Sequence, residues 1–340
     1  MPRAPETAPF PFRFLRESIM KALKETLLFL AGIALAGAAA AAQPDVPKQV
    51  KIVVPFTAGA SNDAIARAIA PQLAARFGNT VIVENRGGAA GAIGSEYVAR
   101  SAKDGSVLLL TSSTFLTTAA TQPHLPYDPL KQFAPVAMIG QGPLVVATSA
   151  QTPYGSLQEL LAAARKRPGA LNYGSAGVGS LAHLATVMLD DAAGTSMTHV
   201  PYKGAANAAS DLAGGLIDVM LSNYSTLAPV VQGKKVKLLA TTAEAPQPAF
   251  PDLPPAAQTL PGYAVQIWVG VFAPAGTPQP YIDRLNAALN EISASPEMAA
   301  LLDIDGTVPA RMGSAEFGER VRDELALWQG IARKHGISSE

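Results

Sequence analysis

Three turns built from glycine, alanine and serine carry the polar chemistry of this chain. They are Pro55-Phe-Thr-Ala-Gly-Ala-Ser-Asn-Asp63, Asn85-Arg-Gly-Gly-Ala-Ala-Gly-Ala-Ile-Gly94 and Asn172-Tyr-Gly-Ser-Ala-Gly-Val-Gly-Ser180. Small side chains let backbone N–H groups approach a ligand closely, and a helix starting at the end of such a turn adds the positive end of its dipole. Together these make a seat for a carboxylate or phosphate that needs no arginine. One such turn serves equally well to pack a helix on a sheet; three, divided between the two halves of the chain, point to an anion-binding protein. None has nucleotide-loop spacing: Gly-x-x-x-x-Gly-Lys-Ser/Thr is absent, and Gly174-x-x-Gly177-x-Gly179 reverses the order of Gly-x-Gly-x-x-Gly. No cofactor is expected.

The remaining reactive groups do not assemble into a catalyst. Of the four histidines, His124, His183, His199 and His335, no two stand at a metal-ligand spacing, and without cysteine there is no thiolate zinc site, disulfide or thiol nucleophile. No metal site is expected. Ser180 and His183 lie three apart on one helical face, but no Gly-x-Ser-x-Gly elbow accompanies them, so His183 reads as a packed, hydrogen-bonded histidine rather than a base. His199, on an apolar strand, reads as structural. Asp63 suits a helix cap as well as a ligand contact. Lys203 could attract an anion, Ser222 and Asn223 stand just past a strand end with hydrogen bonds to donate, and Asn85 could orient a turn. The 26 basic and 26 acidic residues cancel, which gives no electrostatic footprint for nucleic acid or an anionic membrane.

The elements that must hold the turns alternate between strand and helix. Strands are expected at Val50–Val54, Thr80–Val83 and Val107–Leu110, with helices over Asp63–Phe77, where Pro71 marks a kink, and Ala92–Arg100. A second series follows: strands Leu144–Ala147, Leu171–Tyr173, Thr198–Val200, Asp218–Leu221 and Val236–Ala240, with helices Leu157–Lys166, Ser180–Leu189 and Ala205–Ala213. A proline-rich loop from Pro246 to Pro261 leads to a linking strand, Val265–Phe272, and to helices Pro280–Ser293, Pro296–Leu302 and Ala315–His335. The alternation implies an α/β protein of parallel β-α-β units, and 340 residues suggest two domains.

Ahead of these elements stands an address. Lys21 and Lys24 precede an apolar run from Leu27 that ends in alanines at Ala42, shorter than the roughly 20 residues of a spanning helix. A charged start, an apolar centre and small residues before the cut make a secretory signal. Cleavage is expected after Ala42, with Met20 as the start of translation and Met1–Ile19 as an extension. No cysteine follows to take a lipid anchor.

With their flanks, the turns form a longer series: Val54-Pro-Phe-Thr-Ala-Gly59 with Asp63; Val83-Glu-Asn-Arg-Gly-Gly-Ala-Ala-Gly91; Asp104-Gly105; Tyr173-Gly-Ser-Ala-Gly-Val-Gly-Ser-Leu-Ala-His-Leu184; His199-Val-Pro-Tyr-Lys-Gly204; Trp268-Val-Gly-Val-Phe-Ala-Pro-Ala-Gly-Thr-Pro278; and Trp328. In this order, over nearly all of the mature chain, the series resembles the receptor family of tripartite tricarboxylate transporters, the Bug receptors. The resemblance implies a two-lobed type II periplasmic-binding-protein fold, a Venus flytrap with its ligand cleft between the lobes. Residues 43–142 and 265–340 would form the first lobe and 143–264 the second, with chain crossings near Gly142 and Val265 and closure by hinge motion. It also implies a periplasmic solute receptor, monomeric, that captures a di- or tricarboxylate or related organic acid and delivers it to integral-membrane permease subunits. The contacts carried over are Phe56, Ala58, Gly59, Ser61, Asp63, Asn85, Gly88 and Gly91 on one side. Ser175, Gly177, Gly179, Ser180 and His183 face them, and Ser112, Ser113, Lys203, Gly204 and Asn223 lie around them. The chain departs from the family pattern at Ala60, Gly87 and Val187, where glycine, proline and an acidic residue are frequent, and it lacks a basic residue near Glu244-Ala-Pro. Two other readings stay open: a sensory subunit presenting its ligand to a membrane kinase, and an exported enzyme on the same fold.

Overall fold

Apart from Met1, the computed structural model describes residues 46–338, so the expected export signal and the cleavage expected after Ala42 lie outside the described residues. No helix among the described residues is long and apolar enough to cross a membrane.

The first sheet begins with three parallel strands, Gln49–Val54 (β1), Thr80–Asn85 (β2) and Val107–Ser112 (β3), joined by helices Ser61–Phe77 (α1) and Ala92–Ala99 (α2). Leu108, Leu109 and Leu110 are all fully buried, the continuous apolar run expected of a strand covered on both faces. α1 buries Ile65, Ile69 and Leu73 on one stripe, continues through Pro71, and ends at Gly78 in the left-handed conformation (φ 64°). Among the elements additional to those expected are helix Thr114–Thr121 (α3), strand Phe133–Pro143 (β4) and, further on, helix Tyr224–Gln232. Each is masked by its composition. α3 is rich in threonine, which disfavours helix; β4 contains Pro135, Gly140, Gly142 and Pro143; the third carries Pro229.

The second sheet takes all its strands from the middle of the chain: Val145–Ser149 (β5), Asn172–Ser175 (β6), Thr198–Pro201 (β7), Val219–Ser222 (β8) and Val236–Thr241 (β9), in the order β7-β6-β8-β5-β9. Helices Leu157–Lys166 (α4), Leu181–Ala193 (α5), Ala205–Gly214 (α6) and Tyr224–Gln232 (α7) connect them. The chain then returns to the first sheet with Gln266–Pro274 (β10), helices Gln279–Ser293 (α8) and Pro296–Asp303 (α9), the short strand Val308–Pro309 (β11) and helix Ser314–Lys334 (α10). This gives the order β11-β4-β10-β3-β1-β2.

The sheets are mixed, not uniformly parallel as the alternation implied. β10 runs antiparallel between β3 and β4, and β5 runs antiparallel between β8 and β9. These two strands enter their sheets by crossing from the other sheet rather than by a returning helix. They therefore start at the end where their neighbours finish. The helices α3 and α10 cover an aromatic centre under the first sheet, where Phe115 packs edge-on to Phe133 (5.1 Å) and Trp268 edge-on to Phe317 (5.5 Å). Gly270 admits α10 to this distance, since a Cβ there would lie 2.5 Å from the Phe317 ring. Trp268 and Trp328 both donate their indole N–H to Glu324, whose carboxyl is pushed up by burial.

The two crossings are tied to each other at Thr242. Its N–H donates to Leu144 O and its hydroxyl accepts from Leu144 N (both 2.8 Å), while the hydroxyl donates to Val265 O (2.6 Å) and the carbonyl accepts from Val265 N (2.9 Å). All of these groups are buried. Thr242→Val keeps the shape and removes both side-chain bonds, leaving Leu144 N–H unpaired. The expected loss is about 1–3 kcal/mol, read as a lower urea midpoint at unchanged m-value.

Candidate functional site

The first turn leaves β1 at Pro55 and enters α1, and it is organised around Asp63. That side chain is 3% exposed. Its Oδ2 accepts Gly59 N–H (2.9 Å) and Arg67 Nε (3.0 Å), and its Oδ1 accepts Asn85 Nδ2 (3.0 Å). Asn85, at the end of β2, also donates to Phe56 O (3.3 Å) and accepts from Arg67 (3.1 Å). Burial would raise the Asp63 carboxyl, but the hydrogen bonds from Arg67, Gly59 and Asn85 outweigh it and hold the group below its usual range. Asp63 and Asn85 thus shape the turn from behind, while Thr57, Ala58 and Gly59 are exposed.

The second turn is backbone-strained. Ala89 and Ala90 hold φ of 47° and 52° between Gly88 (127°) and Gly91 (95°), at a cost of roughly 1–2 kcal/mol for each alanine. Ala90 O accepts the Thr118 hydroxyl of α3 (3.3 Å), and Gly87 to Ala90 are exposed. At the end of β3, Ser112 is buried in the ladder opposite Val269. Ser113 is spent on β10, its N–H donating to Trp268 O (3.1 Å) and its Oγ accepting Trp268 N–H (2.9 Å).

The third turn joins β6 to α5. Ser180 caps α5, its Oγ accepting His183 N–H (3.4 Å). Ser175 Oγ folds into its own turn, accepting Gly177 N–H (3.1 Å) and meeting His199 Nε2 (2.6 Å). His183 Nδ1 accepts Gly179 N–H (3.2 Å), which makes it an unprotonated acceptor, and its ring stacks on His199 at 3.8 Å and 11°. Burial lowers both imidazoles to about 4, His199 also by its neighbour His183. The pair is a neutral buttress under the turn. The amides of Gly177 and Gly179 are therefore used internally, while the first-turn amides of Leu181 and Ala182 have no intrahelical acceptor, as at any helix start. Lys203 is exposed and Gly204 half-buried at the start of α6.

Two contacts bring the turns of the two sheets together. One turn of α3 beyond Thr118, Thr121 lies against Gly179, where a Cβ would stand 2.1 Å from the threonine hydroxyl; with φ 77° as well, only glycine fits. On another side, buried Asp305 of the first-sheet body accepts Ser61 Oγ (3.3 Å) at the start of α1, and Asn223 Nδ2 (3.4 Å), Ser225 N–H (2.7 Å) and Ser225 Oγ (3.0 Å) at the start of α7. Thr118, Thr121, Ser225 and Asp305 are absent from the residues expected from sequence. They lie in helices masked by threonine and proline or in the short turn between α9 and β11, and no glycine-rich signal marks them. The ion pair of Asp191 on α5 with Lys334 (2.6 Å) and its hydrogen bond with His335 Nε2 (2.8 Å), at the end of α10, join the same two bodies at the surface.

Residues 65–337 match the model of the tripartite tricarboxylate transporter family receptor. The chain belongs to that family. It is 32% identical to BugT of Bordetella pertussis over 309 residues, covering 89% of this chain and 95% of BugT. Among solved structures, it superposes on MatC of Rhodopseudomonas palustris with bound malate at TM-score 0.75 and 30% identity, over 84% of this chain and 99% of MatC. A protein of R. palustris with adipate matches at TM-score 0.79 and 32% identity, over 86% of this chain and 99% of that one. The receptor thus has the two-lobed fold of the periplasmic solute-binding proteins.

The receptor's histidine pair gives it an acid limit. Folded His183 stays neutral down to about pH 4, whereas an unfolded histidine takes a proton below about 6.5. The contribution of His183 to stability is level above pH 6.5 and falls as pH drops towards 4, by up to about 3 kcal/mol. Urea midpoints measured from pH 7.5 to 4 should fall less steeply in His183→Gln/His199→Gln than in the wild type.

Proposed function

We propose that the receptor captures a small carboxylate between the converging turns and delivers it to the integral-membrane permease subunits of a tripartite transporter. The observation that carries this reading is the approach of two sets of small-residue strand ends, one from each sheet, bridged by Thr121 at Gly179 and by Asp305. Strand ends of this kind are where open α/β sheets take ligands. The malate and adipate in the R. palustris proteins support a carboxylate here. The seat has no dedicated arginine: Arg67 is held by Asp63 and Asn85. Charge would be met by the backbone amides of the first two turns and of Leu181 and Ala182, with helix dipoles behind them.

Of the residues expected from sequence, Phe56, Ala58, Gly59, Ser61, Gly88, Gly91, Ser180 and Asn223 line the proposed cleft. Asp63, Asn85, Ser112, Ser175, Gly177, Gly179 and His183 position it. Residues 43–142 with 265–340, and 143–264, would act as two lobes closing about the crossings at Thr242. Export to the periplasm with cleavage near Ala42, and a monomeric state, belong to the same reading.

Thermal unfolding of the mature chain from Gln43 onward, in the presence of a panel of small carboxylates, tests it. A ligand at a hundredfold excess over Kd stabilises by about 2.7 kcal/mol and should be recovered chemically unchanged. Ser180→Trp should abolish that shift; the lost helix cap costs about 1 kcal/mol and the indole at this buried position roughly 1–3 kcal/mol more, so its unfolding temperature without ligand is the reference. An unshifted wild type, an altered ligand, or full binding by Ser180→Trp would each count against the reading.

A further inference from the structure

On the receptor reading above, we propose that Asp305 selects the distal group of the ligand: the α7 side of the cleft takes a hydrogen-bond donor, such as an amide, hydroxyl or ammonium, and disfavours a second carboxylate.

Asp305 stands in the turn between α9 and β11 and is 6% exposed. Its Oδ1 accepts Ser225 N–H (2.7 Å), and its Oδ2 accepts Ser225 Oγ (3.0 Å), Ser61 Oγ (3.3 Å) and Asn223 Nδ2 (3.4 Å). The start of α7, with its free amides, dipole and flanking hydroxyl, is the kind of position an anionic ligand group would take. Here the chain fills it with its own carboxylate.

Donor and acceptor counting then sets the polarity of that wall. A hydroxyl has one hydrogen, and Ser61 and Ser225 both direct theirs to Asp305, which leaves lone pairs for anything else that approaches. An ionised carboxylate only accepts, so Asn223 must turn its NH2 group to Asp305 and keep its carbonyl oxygen for the ligand. Three polar side chains that could have served a carboxylate are thereby converted into acceptors, beside a fixed negative charge. A ligand carboxylate there would meet like charge and no donor, both of which lower affinity. At α5 the situation is reversed, because the Leu181 and Ala182 amides remain donors. The ligand is therefore polarised, with its carboxylate at α5 and the first two turns and its donor group at Asp305.

Calorimetric titration of the mature chain with two length-matched series tests this: succinate, succinamate and 4-aminobutanoate; adipate, adipamate and 6-aminohexanoate. In the series that binds, the amide or the amine should bind at least tenfold more tightly than the dicarboxylate, and Asp305→Asn should reduce that ratio at least tenfold. If Asp305→Asn does not fold, the wild-type ratio alone decides. A dicarboxylate that binds most tightly to the wild type, or a ratio unchanged in Asp305→Asn, would overturn selection by Asp305 and leave the receptor reading standing. Failure of every member to bind would overturn both.

Discussion

Thr242 holds the two chain crossings side by side, and the rest of the cleft depends on that junction. Its backbone and hydroxyl pair with Leu144 on one crossing and with Val265 on the other. Because the sheets meet there, β4 and β9 end at the junction while β5 and β10 begin at it. That single arrangement explains why β5 and β10 run against their neighbours. It also explains why β1, β2 and β3 of the first sheet and β6, β7 and β8 of the second finish towards one another and carry their turns into a common space.

Within that space the receptor shapes donors instead of placing cations. Asp63 gathers Gly59, Arg67 and Asn85 and so fixes the first turn. Thr118 holds the strained second turn by Ala90 O, and the stacked His183 and His199 support the third from beneath. Amides held in place this way need little reorganisation to meet a charge, which suits the proposed carboxylate seat without a buried arginine. Asp305 applies the same logic with the opposite sign, presenting acceptors where a helix start would otherwise present donors. A receptor built from backbone amides and two shaping carboxylates can change ligands by altering a few side chains at the rim, leaving the sheets untouched.

Much of this was legible along the chain. The turns announce themselves by composition, the strands β1, β2, β3 and β10 by β-branched and apolar runs, and the family by motifs in series. The polar side chains were harder to assign from local pattern. Asp63 and His183 look like ligand contacts in one dimension, yet their hydrogen bonds are turned inward, to Gly59 and Gly179. Helices α3 and α7 were invisible because threonine and proline weaken local helix signals, and packing against the sheets overrides that weakness.

What the sequence determined by itself was the kind of site: small residues at strand ends, no thiol, no metal spacing, no nucleotide loop. These follow from residue type and short-range spacing, which chain order preserves. Only the tertiary structure decided which amides are already taken, that Thr121 meets Gly179, and that Asp305 joins Ser61 to Asn223 and Ser225. Those partners are separated by tens to hundreds of positions, and their pairing is set by the packing of two sheets about one junction. No local pattern can encode a contact whose two halves acquire meaning only once the chain has crossed between the sheets and returned.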